Sequence, residues 1–283
     1  MAAQASQEID SNYSHGNLVS RTLPFGARRD SRGLVVAMNS PVFAAGELLD
    51  PVAAYDRVAP VYAHLAAERR AYLDAIDRIV VSGIPPGSRS LLDVGAGDGA
   101  RAGRIAAAAG LRDLILLEPS GVMRSHCPAQ ANIWAMRAED LHCRQGSFDA
   151  ITCLWNVLGH ILPTAARSEV LRQFARLVSA EGRIFIDLNH RYNARHYGAL
   201  ATAVRFLRDR VSPADGNGDV RVTWNIEGHR VSTAGHVFTH REFSVLSETA
   251  GLRIEQRFVV DYASGQLQRR SCEGNLVYVL RRS

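Results

Sequence analysis

Apolar positions recur at helical spacing through residues 55–81, where Val58, Tyr62, Leu65, Leu73, Ile76, Ile79 and Val80 predict helix, broken by Pro60. Beyond Gly83-Ile84-Pro85-Pro86-Gly87 the period changes. Short, nearly continuous apolar runs at residues 91–94, 114–117, 133–136, 148–155 and 183–188 read as strands buried on both faces. Amphipathic stretches lie between them. One carries Ala102, Ile105, Ala106 and Ala109 and stops at Gly110; a short one spans Val122 to Arg124; another opens at Pro163-Thr164, packs Val170, Leu171, Phe174, Leu177 and Val178, and closes at Gly182. Strands alternating with helices in this way predict an α/β, doubly wound parallel sheet with helices on both faces.

The alternation stops at Asn189. A helix near Ala199–Arg208, a strand at residues 220–226, a turn at Gly228 and a returning strand from Val231 to Phe238 make residues 189–241 an inserted lobe, placed over the strand tips as a substrate pocket. Thr239-His240-Arg241-Glu242 is a capping box that opens the last helix, and residues 254–262 and 275–280 are the final strands. Residues 1–45, rich in Ser, Asn, Gly and Arg without a sustained period, read as a mobile arm, with Met38 an alternative start, and residues 46–283 as the folded domain.

The chemistry centres on Leu91-Leu92-Asp93-Val94-Gly95-Ala96-Gly97-Asp98-Gly99, a strand, a tight turn and a helix start. Glycines there let the backbone turn sharply and a ligand approach it closely. Gly95, Gly97 and Ala100 also satisfy the relaxed dinucleotide fingerprint, so a nicotinamide or flavin enzyme competes. Asp93 favours a different ligand, because a carboxylate at the strand mouth repels a pyrophosphate and holds a cation. Glu118 ends the next strand about twenty residues on, the distance at which a carboxylate reaches ribose hydroxyls.

The motif resembles the acid-x-Gly-x-Gly-x-Gly motif of class I S-adenosylmethionine-dependent methyltransferases, over residues 52–190 most fully. The resemblance implies a Rossmann-like, mostly parallel seven-stranded sheet with an antiparallel last strand, and S-adenosylmethionine as cofactor. It places Asp93, Gly95, Ala96, Gly97 and Gly99 against the methionine part and Glu118-Pro119 at the ribose. The turn Arg137-Ala138-Glu139-Asp140 falls at the adenine, with Arg137 where relatives carry an acid or amide. Residues 55–62 resemble the cap helix of small-molecule methyltransferases, implying that Tyr62 closes over the cofactor.

Methyl transfer from a sulfonium is a direct displacement, so acceptor residues are sought after strands four and five. Leu154-Trp155-Asn156-Val157-Leu158-Gly159-His160 resembles the Leu-x-Asn-x-x-x-His run of glycine N-methyltransferases, implying Leu154 on the cofactor and Asn156 and His160 at the acceptor. Trp155 replaces a small residue there. Asp187-Leu188-Asn189-His190-Arg191 resembles a run in which an arginine binds the substrate carboxylate, although Arg191 stands two residues late.

Composition narrows the alternatives. The chain has 283 residues, 47% of them hydrophobic, and no apolar run of the roughly 20 residues needed to span a membrane. It contains no lysine, which excludes a lysine Schiff base and a phosphate-loop lysine. The net charge of +5 invites a nucleic-acid partner, but Arg101, Arg104, Arg167, Arg172 and Arg176 are scattered at helical spacing like a solvated face. Cys127, Cys143, Cys153 and Cys272 show neither disulfide nor metal spacing, consistent with reduced thiols in the cytoplasm and no metal. The resulting expectation is methyl transfer to a small-molecule acceptor, nitrogen ahead of oxygen, without a nucleic-acid or membrane partner and with no oligomeric state specified. A nucleic-acid or protein methyltransferase, a nicotinamide-dependent oxidoreductase and a non-catalytic cofactor-binding regulator are the rivals.

Overall fold

A computed structural model describes residues 5–11 and 48–283 except residue 227. Most of the arm expected at 1–45, Met38 included, lies outside the described residues; within it Ala5–Ser11 forms strand β1.

Helix α1 (Pro51–Glu68) begins with the Asp50 side chain accepting from the Val52 amide at 2.9 Å and with proline in the first turn. Pro60 does not break it. The interruption comes instead at Arg69 (φ −105°, ψ 14°), before α2 (Arg70–Gly83). Pro60 removes one intrahelical hydrogen bond, and the burial of Val58, Ala59, Val61 and Leu65 around it keeps that helix continuous.

Strand β2 (Ser90–Val94) leads into α3 (Ala100–Ala109), β3 (Asp113–Leu117), α4 (Gly121–Ser125), β4 (Asn132–Trp134) and β5 (Phe148–Cys153). Next come α5 (Thr164–Leu177) and β6 (Val178–Leu188), with no separating turn. Gly182 therefore lies inside a strand rather than closing a helix. An added Cβ there would stand 2.8 Å from the Phe148 carbonyl of the paired strand, so close approach explains the glycine. The lobe consists of α6 (Ala194–Tyr197), α7 (Ala199–Val211), β7 (Asp219–Ile226) and β8 (His229–His236), followed by α8 (His240–Thr249), β9 (Leu252–Val260) and β10 (Asn275–Arg282). The capping box at Thr239 and Glu242 is formed.

The main sheet runs β4-β3-β2-β5-β6-β10-β9; the first five strands are parallel and β10 is antiparallel to both its neighbours. One core packs Leu92, Ile151 and Ile184 against α5 and α8, and the other packs Leu91, Ala150 and Phe185 against Ile76, Val80 and Ile105. A second sheet, β1-β7-β8, buries Val220, Val222 and Trp224 against Ala54, Val58, Val61 and Leu65 of α1. That packing fixes α1 between the lobe and the carboxyl ends of the main strands. Among the described residues no helix is long and apolar enough to cross a membrane.

Candidate active site

The sheet order reverses at β2, whose neighbours are β3 and β5, and ligands in open α/β sheets bind beyond the carboxyl ends of strands at such a point. A cleft lies there, about 780 Å³ when its open mouth is counted. Gly95, Gly97, Glu118, Pro119, Ala138, Glu139, Leu154, His160 and Tyr62 all line it. Ala96 and Asp93 lie buried just beneath, and Gly99, in the left-handed region at φ 71°, turns the loop into α3.

The loop is a backbone cradle. Gly95 has φ 74° and Gly97 φ 59°; a Cβ on Gly95 would meet Val157 Cγ2 at 2.5 Å, and one on Gly97 the Tyr62 hydroxyl at 2.9 Å. Its amides already have anionic partners. Gly97 N donates to Glu118 Oε2 at 2.8 Å and Ala100 N to Asp98 Oδ1 at 3.1 Å, so carboxylates occupy the positions a diphosphate would take. Burial pushes Asp93 up to about 6 even though Thr152 Oγ1 donates to it at 2.6 Å. It pushes Glu118 up to about 7 against the amides of Ser120 and Gly97. Two destabilised carboxylates over an open backbone fit a cationic, phosphate-free nucleoside.

Helix α1 roofs the cleft. Tyr55 and Tyr62, seven residues apart and so on one helix face, both line it. Asp56 Oδ1 accepts from Ser120 Oγ at 2.5 Å, and Arg137 bridges the mouth to Asp50 at 2.7 Å. Tyr55 is not among the expected site residues, and its spacing from Tyr62 is the signal that could have found it; Trp155 and Arg137, singled out beside the acceptor run and on the adenine turn, also line the cleft. Asp140 is not part of the lining, so on the adenine turn Arg137, Ala138 and Glu139 face the cleft.

After β5 the chain makes an uncommon turn, with Trp155 (φ 60°) and Asn156 (φ 59°) both left-handed. Asp187 Oδ1 holds it by accepting from Asn156 N at 2.9 Å. Asn156 is 4% exposed and does not line the cleft: its Oδ1 accepts from Asn189 N at 3.0 Å and its Nδ2 donates to the His236 carbonyl at 3.3 Å. Its amide is used to tie strand ends to the lobe, so it is a positioning residue and not an acceptor contact. His160 does reach the cleft wall. Its Nδ1 lies 3.3 Å from the Ala234 carbonyl, its Nε2 3.3 Å from the Tyr55 hydroxyl, and burial holds the imidazole down at about 4.

Arg191 corrects a second expectation. Its guanidinium is buried away from the cleft, paired with Asp209 at 3.0 Å and Glu242 at 2.6 Å, and donates to the Val237 carbonyl at 3.2 Å. Its charge is satisfied inside the lobe, where His236 also bridges Asp219 (2.7 Å) and Glu242 (2.6 Å). Among the described residues no group of three or more His, Cys, Asp or Glu side chains is arranged to hold a metal.

This strand order, with the glycine loop and two strand-tip acids, defines a class I S-adenosylmethionine-dependent methyltransferase. The chain belongs to the methyltransferase-domain family whose model matches residues 62–257. No curated protein sequence matches it. Solved structures share the fold at low identity. The CcbJ methyltransferase of Streptomyces caelestis is 15% identical, with a TM-score of 0.59, covering 81% of this chain and 98% of its own. The sugar N-methyltransferase KedS8 of a Streptoalloteichus species is 20% identical (TM-score 0.53, 88% and 99% covered). CalS10 of Micromonospora echinaspora, an amino pentose methyltransferase solved with S-adenosylmethionine bound, is 13% identical (TM-score 0.53, 84% and 100% covered).

Proposed function

We propose that the protein methylates a small-molecule acceptor at nitrogen rather than oxygen, within the cleft roofed by α1 and walled by the lobe. The observation that carries this reading is that the histidine and the two tyrosines walling the cleft are poor bases, while the Glu118 oxygens are engaged by the Gly97 and Ser120 amides at the cofactor loop. His160 is held at about 4 by burial, and the Tyr55 and Tyr62 hydroxyls are pushed above their ordinary range by burial first. A hydroxyl acceptor needs a base to take its proton, whereas a neutral amine brings its own lone pair. The Ala234 carbonyl favours the tautomer with hydrogen on Nδ1 of His160, leaving Nε2 as an acceptor that the Tyr55 hydroxyl holds and that an acceptor amine would share or take over.

When bound, S-adenosylmethionine supplies a methyl group on a sulfonium. Asp93, the 95–99 loop, Glu118, Pro119, Ala138, Glu139 and Leu154 are the residues that would hold it. Aligning the acceptor and excluding water are then the tasks of the chain, and the α1 roof with Tyr55, Tyr62 and Trp155 serves both. Two structural relatives are named as a sugar N-methyltransferase and an amino pentose methyltransferase, which supports a nitrogen acceptor on a small molecule. Four unpaired cysteines support a cytoplasmic location.

The test is a screen with methyl-labelled cofactor over amines, amino acids, amino sugars, phenols and neutral sugars. Label is expected in amine-bearing acceptors; transfer confined to phenols or sugar hydroxyls overturns the nitrogen assignment. With an accepted amine, His160→Ala is expected to lower kcat about 10- to 100-fold while leaving S-adenosylhomocysteine affinity nearly unchanged. The opposite split would make His160 a cofactor-site residue.

A further inference from the structure

Helical spacing alone puts Arg167 on a solvated face; it is instead 1% exposed, on the inner side of α5. Neutral oxygens hold its guanidinium. Nη1 donates to the Ile161 carbonyl at 3.0 Å and Nη2 to Thr164 Oγ1 at 2.7 Å, while Nε has no partner among the described residues. The Phe238 ring lies 5.6 Å away. Each of these features costs stability. Burial pulls the cation below its ordinary value, and Glu242 and Asp219 oppose that only from beyond ion-pair reach. Arg167 also stands in the first turn of α5, the end at which a helix dipole favours anions. A buried charge without a close counterion destabilises a fold, and such breaches of local rules gather at functional sites.

The carbonyl that Arg167 grips belongs to the residue after His160. Between β5 and α5 the chain turns at Trp155-Asn156, makes a single turn of 3₁₀ helix over Val157–His160 and reaches Ile161. Asn156 ties the first end of this stretch to β6 and to the lobe. Arg167 holds the other end. The imidazole between them has only two long contacts of its own, 3.3 Å each, to the Ala234 carbonyl and the Tyr55 hydroxyl. We propose that Arg167 is a positioning residue for His160, fixing the end of the 3₁₀ turn so that Nδ1 stays on the Ala234 carbonyl and Nε2 stays toward Tyr55 and the cleft. Arg167 does not line the cleft; it acts through His160 and Ile161, which do. A guanidinium suits the task because its rigid fork reaches two oxygens at once and so fixes the turn against the helix, whereas an ammonium is a single point of charge. The use made of the positioned imidazole rests on the amine-methylation reading above; the clamp itself does not.

The test is a pH titration of the His160 ring by nuclear magnetic resonance, in the full chain with labelled histidine, the signal being assigned by its loss in His160→Gln. The groups packed on that ring are uncharged, namely Tyr55 of α1, Trp224 of β7 and the Ala234 carbonyl of β8, so its midpoint reports how tightly it is enclosed. In the wild-type chain the ring is expected to carry hydrogen on Nδ1 and to titrate at about 4. Arg167→Met puts an apolar chain of similar length in place of an unpaired buried cation, so Tm is expected to hold or rise. The His160 midpoint should nevertheless climb by about one pH unit or more toward 6.5, as water reaches the loosened ring. Arg167→Lys should fall between the two. With an amine accepted in the screen, Arg167→Met should lower kcat about tenfold and leave the KM for S-adenosylmethionine nearly unchanged. Should the Met variant fail to fold, Thr164→Val, which removes only the Nη2 contact, is expected to move the midpoint in the same direction by less. A midpoint and tautomer that stay put in folded Arg167→Met or Thr164→Val protein overturn the proposal. A midpoint that moves while kcat does not keeps the clamp and removes His160 from the reaction, which overturns the reading above and not this one.

Discussion

Asp93→Ala is expected to weaken S-adenosylhomocysteine binding by about 100-fold or more near pH 8 without lowering the stability of the free protein. The two effects separate because the side chain is 7% exposed and held at about 6 by burial. At pH 8 its ionised form therefore costs the free protein on the order of 3 kcal/mol relative to an exposed carboxylate. Removing it relieves that cost and loses one hydrogen bond, from Thr152 at 2.6 Å, worth about 1 kcal/mol. A bound cation is what repays the buried charge, so its loss appears in binding. Calorimetric titration with S-adenosylhomocysteine, alongside thermal melts of the unliganded variant, gives both readings. Unchanged affinity would remove Asp93 from the site, and a collapse of Tm would make it a fold residue. Asp93→Asn, nearly isosteric, should follow the alanine variant in affinity and thereby assign the loss to charge.

Much of this could be read from residue order alone, for identifiable reasons. The switch from helical period over 55–81 to apolar runs from Leu91 onward marks buried parallel strands, since both faces of each need covering. The glycine loop was legible because a positive φ leaves few choices of residue, and Gly95, Gly97 and Gly99 all adopt one. Asp93 and Glu118 follow from their places at strand ends. What escaped depends on which way side chains turn after a regular element stops. Asn156 lies in a turn whose left-handed backbone is carried by tryptophan and asparagine, with no glycine to announce it. Arg191 sits two residues after a motif position, and its direction is decided by Asp209 and Glu242, 18 and 51 residues further on. The face α7 buries was equally hidden, since Leu200, Leu207 and Val211 are exposed and Arg205 is inside. A hydrophobic stripe on a helix normally marks the inside, and only the Arg191 cluster reverses it.

The same two acids make cofactor affinity depend on pH in a direction that can be worked out. In the free protein Glu118 sits at about 7 and Asp93 at about 6, both raised chiefly by burial. A nucleoside whose ammonium lies near Asp93 and whose ribose hydroxyls donate to Glu118 favours their ionised forms and draws both downward, so binding releases protons. Affinity is then full above about pH 8 and falls as pH drops, first through Glu118 and then through Asp93; by about pH 5.5 the expected loss is between 10- and 100-fold. His160, His190 and His196, each held at about 4 by burial, stay neutral through this range and contribute nothing to the slope. They act on stability instead. Their folded values lie below the unfolded 6.5, so each contribution is complete above about 6.5 and is lost as pH falls toward 4. Titration of S-adenosylhomocysteine near pH 6.5 in two buffers of different ionisation enthalpy should show net proton release, and Glu118→Gln should abolish most of it. An affinity that stays flat from pH 8 to 5.5, with no proton released, would mean that the carboxylates do not face the bound nucleoside.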